Sequence, residues 1–114
     1  TAAAVNLSDA QRLMGREDAA ERTLRDALAI RPQAVEAHHA LGLSLVRQHR
    51  MPEALAELEK AVALAPDVSR YAYVLAVALN EGGDRRKAAI VLSAALTRHP
   101  SDPDLRELAR QLGR

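Results

Sequence analysis

The side chains in this sequence that could furnish a general base are four histidines, and those that could furnish a nucleophile include Ser8, Ser44, Ser69, Ser93 and Ser101. None of the serines stands in the strand-turn-helix motif that presents a catalytic nucleophile. His38 and His39 are neighbours, so on a helix their rings diverge by about 100° and cannot face one metal as residues four apart do. His38 reads instead as a partly buried packing residue. Gly82-Gly83 lacks the surroundings of a phosphate-binding loop and reads as a turn. With no cysteine there is no disulfide and no thiolate metal site. No cofactor, no metal and no catalysis are therefore expected. What the polar residues offer is recognition, through charged side chains interleaved with aliphatic ones and Tyr73.

Composition narrows the partners. Lys and Arg total 16 against 15 Asp and Glu, a formal charge of +1, which leaves no electrostatic footprint for nucleic acid or a membrane surface. The longest apolar run, Tyr71 to Leu79, falls well short of the ~20 residues that span a bilayer. A length of 114 residues suits one domain. The chain opens on Thr1, with no basic-then-apolar leader, and reads as a mature or excised piece of a longer protein, soluble and either cytoplasmic or periplasmic.

The elements that must position these side chains are announced by a spacing. Pro32, Pro66 and Pro100 lie 34 residues apart, each behind the same segment: Ala20-x-x-x-Leu24-x-x-Ala27, Ala54-x-x-x-Leu58-x-x-Ala61 and Ala88-x-x-x-Leu92-x-x-Ala95. That period implies stacked helix-turn-helix units, none able to bury its apolar face alone. In the first unit Val5, Leu7, Ala10, Leu13 and Met14 mark the apolar side of the first helix. Gly15 breaks that helix, and Ala20, Leu24, Ala27, Leu28 and Ile30 mark the second. His49 replaces the turn glycine found at Gly15 and Gly83, and histidine is among the residue types that tolerate positive φ there. Ser101-Asp102-Pro103-Asp104 predicts a capped start for a last amphipathic helix carrying Leu105, Leu108, Ala109 and Leu112 on one face. Gly42 and Ala76, with Ala20, Ala54 and Ala88, are small residues placed for close helix crossings.

These motifs resemble the tetratricopeptide repeat family over nearly the whole chain. Leu41-Gly42 and Leu75-Ala76 match its large-small pair in the first helix, Leu7-Ser8 less well, and the second-helix small-large-small pattern matches in all three units. Leu45 and Leu79 stand where the family often has tyrosine. The resemblance implies an all-α, right-handed α-solenoid of about seven helices. It implies one domain over 1–114, with repeats 1–34, 35–68 and 69–102 and a capping helix 103–112.

The family's function, binding an extended or helical segment of a partner protein in a concave groove lined by first helices, is the expectation that follows. The matching groove positions are Val5, Asn6, Asp9, Arg12 and Leu13, then Glu36, His39, Leu43, Val46 and Arg47, then Arg70, Tyr73, Val77, Asn80 and Glu81. A subgroup that grips chaperone tails through a Lys/Asn/Arg clamp is not matched. Val5, Asp9, Ala40 and Val74 depart from that clamp and only Arg70 agrees. Two alternatives stand beside the scaffold reading. One is self-association as a homo-oligomer through exposed repeat ends. The other is a role as the C-terminal repeat region of a larger bacterial enzyme or multihaem cytochrome, because Arg70-Tyr71-Ala72-Tyr73 through His99-Pro100-Ser101-Asp102 is similar to terminal repeats of such proteins.

Overall fold

Each proline of the 34-residue series stands two positions beyond a helix end, because the residue before a proline is pushed out of the α region. The computed structural model describes residues 1–113, and among these it contains seven α-helices and no strand. They fall into two compact units. Thr1–Leu64 holds α1 (Ala2–Leu13), α2 (Glu17–Ile30), α3 (Val35–Arg47) and α4 (Met51–Leu64). The unit from Ala65 onward holds α5 (Ser69–Glu81), α6 (Arg85–Arg98) and α7 (Pro103–Leu112).

The turn inside each repeat closes the same way three times. Gly15, His49 and Gly83 adopt φ of 76°, 60° and 90°. The next amide then reaches back to a last-turn carbonyl: Arg16 N to Gln11 O at 2.8 Å, Arg50 N to Leu45 O at 2.9 Å and Asp84 N to Leu79 O at 2.9 Å. This left-handed closure satisfies carbonyls that a helix end otherwise leaves open. The last helix starts as the sequence predicts, with Pro103 in its first turn and the Asp102 carboxylate accepting from Asp104 N and Leu105 N, both at 3.0 Å. Its buried side carries Leu105 and Leu108.

In the first unit Leu24, Leu41, Leu45 and Ala54 form the core, with Val5, Leu28, Ala40, Val46 and Met51 packed against it. Gly42 admits the α3–α4 crossing. A Cβ there would stand 2.6 Å from Cδ2 and 2.7 Å from Cγ of Leu58, and 3.3 Å from the Ala54 carbonyl. In the second unit Tyr71, Leu75, Leu79, Leu92, Leu105 and Leu108 are buried, and Ala76 and Ala88 are the small residues among them.

One packing assignment is corrected. Of the residues expected on the apolar side of α1, only Val5 is partly covered, whereas Leu7, Ala10, Leu13 and Met14 are exposed, as is Ile30 at the end of α2. The residue that α1 buries is Ser8, which occupies the position of Gly42 and Ala76 in the later repeats. Small size lets it sit at the crossing, and its hydroxyl is satisfied by the Val5 carbonyl at 2.8 Å.

Candidate functional site

Some of the side chains that could supply chemistry are tied into the packing, Ser8, His38 and Ser44 among them. The His38 ring is buried between α3 and α4, with Nδ1 2.8 Å from Glu57 Oε1 and Nε2 2.6 Å from the Pro32 carbonyl oxygen. It thereby ties a helix pair to the proline turn before it. Burial pushes the Glu57 carboxyl up, but the bonds from His38 and Lys60 outweigh it and the net displacement is downward. Ser44, fully buried, donates to Glu17 Oε2 at 2.7 Å.

The groove positions of the first unit lie on α1 and α3, which touch each other. Asn6, Asp9 and Glu36 are exposed, Val5, Leu43 and Val46 are half-buried, and His39 is buried. Arg12 is half-buried and close enough to Glu17 to help hold its carboxyl down. Arg47 is exposed but clasped, donating from Nε to Glu17 Oε1 at 2.6 Å and from Nη2 to Oε2 at 3.2 Å. Two parallel N–H bonds to one carboxylate orient the guanidinium as a single bond would not. The partner, Glu17, belongs to α2, 30 residues away in the chain, and no local pattern in the sequence pairs it with Arg47.

That clasp predicts an acid response. The Arg47 hydrogen bond is the leading cause of the low Glu17 pKa, reinforced by Ser44 and opposed by burial. A carboxyl held below its ordinary 4.5 adds stability that is present above that value and is lost as pH falls through the folded-state value. In urea titrations the midpoint should hold from neutrality to mildly acid pH and fall below about 4.5, the usual range for carboxylates of this kind. Glu17→Gln should lower the neutral-pH stability by about 0.2–1 kcal/mol, as partly exposed pairs do, and flatten the acid slope. An unchanged acid slope in that variant would remove Glu17 from the account.

In the second unit Arg70, Tyr73, Val77, Asn80 and Glu81 share one face of α5, an arc of about 100° at the helical pitch. Arg70, Asn80 and Glu81 are exposed, and Tyr73 and Val77 are half-buried. Tyr71, pointing elsewhere, is buried and supports the Arg70 guanidinium, whose carbon lies 5.7 Å from the ring centroid. Arg70 and Tyr73 also line a cavity of about 410 Å³ with Ser69, Val74, Asp102 and Asp104. Its acidic wall is the cap of α7. The Leu105 amide first, then the Ser69 hydroxyl, hold the Asp102 carboxyl below its usual range. The sequence marks Asp102 and Asp104 as a helix start and contains no sign that the start abuts α5. Volume and lining fit a small recognition pocket with one cation, two carboxylates and an aromatic wall.

Paired helices repeating every 34 residues, closed by one turn geometry and presenting a polar face on their first helices, define an α-helical repeat protein. The chain belongs to the tetratricopeptide repeat family: tetratricopeptide repeat models match residues 1–33 and 39–103. No curated protein matches the sequence. Similar solved structures include an O-GlcNAc transferase of Thermobaculum terrenum, at 27% identity and a TM-score of 0.79, aligned over 96% of this chain and 21% of the transferase. The chain thus spans about a fifth of that enzyme's length. The type III secretion translocator chaperone SycD of Yersinia enterocolitica is similar at 15% identity and a TM-score of 0.78, over 96% of this chain and 76% of SycD. The first tetratricopeptide domain of Spaghetti, solved with an HSP90 peptide, gives 14% and 0.82 over 97% and 90% of the two chains. The last two likenesses concern the fold alone. No helix among the described residues is long and apolar enough to cross a membrane.

Proposed function

We propose that this chain is a non-catalytic protein-interaction scaffold whose first-helix faces bind a peptide or helical segment of a partner. The observation that carries the proposal is the α5 face. A cation at one end (Arg70), an aromatic and an aliphatic residue in the middle (Tyr73, Val77) and a polar and acidic end (Asn80, Glu81) extend over about 16 Å of helix at ~1.5 Å per residue. A segment with an acid at one end, one or two apolar anchors and a base at the other is complementary to it. The cavity beside Arg70 and Tyr73 gives one anchor side chain a place to insert, and an aromatic lining a pocket is a common interface hot spot. Asn6, Asp9, Arg12, Glu36, Leu43 and Arg47 form the corresponding set in the first unit, and His39, expected among them, is buried and lies outside it. There the exposed carboxylates Asp9 and Glu36 favour a basic segment. The Spaghetti domain with its bound peptide supports a peptide as the ligand class.

The test is direct binding. Peptides selected against the whole chain from a displayed library, measured by fluorescence anisotropy, should lose about tenfold or more in affinity for Tyr73→Ala and for Arg70→Glu. Circular dichroism spectra should show both variants folded, since Arg70 is exposed and Tyr73 only half-buried. Affinity unchanged in both variants would move the contact away from α5.

A further inference from the structure

We propose that the side chain entering the cavity between α5 and α7 is a lysine or arginine of the partner segment, its stem on Tyr73 and Val74 and its cationic head between Asp102 and Asp104. This rests on the peptide-binding reading of the α5 face and names the residue type that face selects. The cavity, about 410 Å³, is at the small end of ligand pockets and suits one long side chain. The two helices that wall it touch each other. Its lining divides by chemistry: Tyr73 and Val74, both half-buried, give an aromatic and an aliphatic wall, and the start of α7 brings two carboxylates.

Arg70 does not neutralise those carboxylates. Its guanidinium leans over the Tyr71 ring, 5.7 Å from the centroid, and among the described residues it forms no ion pair. Asp102 is drawn toward Ser69, which donates to it. Ser69 and Tyr71 are two residues apart, which at the helical pitch places them about 160° apart around α5 and separates the cation from the acid. The Leu105 amide, then the Ser69 hydroxyl, keep Asp102 ionised, and Asp104 is exposed with no ion pair of its own among the described residues. Two negative charges thus stand against one positive, beside an apolar wall. A metal ion would make no use of that wall, and the described residues include no cluster of three His, Asp or Glu able to hold one. A purely apolar anchor would strip water from the carboxylates without pairing them. A lysine or arginine uses both parts: its methylenes cover Tyr73 and Val74 while its head exchanges water for charge-assisted hydrogen bonds. Arg70 is left for an acid elsewhere in the segment.

The test selects peptides against the whole chain from two displayed random libraries, one containing lysine and arginine and one containing neither. Peptides whose binding depends on Tyr73 should come from the first alone. In the tightest of these, exchanging the anchor lysine for norleucine, or an anchor arginine for citrulline, keeps the stem and removes the charge. That exchange should weaken binding to the wild type by about tenfold and to Asp104→Asn by about twofold or less, because the variant has already lost half of the pairing. Asp26→Asn, an exposed acid on α2, should bind the unmodified peptide as the wild type does, which separates pairing in the cavity from overall charge. Peptides without lysine or arginine that bind as tightly and still lose affinity in Tyr73→Ala would overturn the basic anchor and leave the α5 face standing. An equal loss on charge removal in the wild type and in Asp104→Asn would do the same. Binding indifferent to both Tyr73→Ala and Arg70→Glu in either library would remove the α5 face, and the anchor with it.

Discussion

Leu58→Ala is expected to lower the unfolding free energy by about 2–5 kcal/mol, the range for truncating a leucine in a closed core. Leu58 is 0% exposed and its branched end lies over Gly42, in the α3–α4 crossing of the first unit. Part of the loss is the transfer of three apolar carbons to water, and the rest is the cavity they leave. On one side that cavity abuts Gly42, which has no side chain to move into it. Since a domain of this size has about 5–15 kcal/mol in total, the variant should show a urea midpoint reduced by a large fraction. A midpoint within experimental error of the wild type would mean that the crossing is not closed as described.

Gly42→Leu should destabilise by about 1–3 kcal/mol or more through overpacking, even though replacing a mid-helix glycine is intrinsically favourable by ~1 kcal/mol. The first atom added would already stand 2.6 Å from Leu58, and the backbone beneath cannot retreat without moving α3 off α4. The two substitutions act on one volume and should therefore not add. The double variant Gly42→Leu/Leu58→Ala should be more stable than the sum of the singles by about 0.5–3 kcal/mol, the coupling of residues in contact. Strict additivity of the chemical-denaturation free energies would contradict direct contact at this crossing.

Much of this architecture can be read before any fold is known, and the reason is repetition. The alanines at 20, 54 and 88 and the prolines at 32, 66 and 100 report the same packing problem solved three times, so one ambiguous segment is decided by its two copies. His49 illustrates it: alone it is an ordinary surface histidine, but its register with Gly15 and Gly83 predicts the positive φ that the structure shows. Repetition fails at α1, where Leu7 follows the pattern of Leu41 and yet lies outside, because the pattern encodes a face and does not encode whether a neighbour covers it.

The candidate site was legible in part for a similar reason. Arg70, Tyr73, Val77, Asn80 and Glu81 share a face by helical pitch alone, which depends only on local geometry. That Arg47 is clasped by Glu17, that His39 is buried, and that Asp102 and Asp104 close a cavity beside Tyr73 depends on which helices meet.

By itself the amino-acid order determined the helices, their turns, their family and the polar stripe on each first helix, since hydrophobic period, capping residues and proline act over a few positions. Tertiary structure alone decided which stripe residues remain available to a partner and which apolar ones stay in water. Those outcomes are set by contacts between residues 19 to 33 apart, such as His38 with Glu57 and Asp102 with Ser69, whose free energy exists only once the helices are side by side.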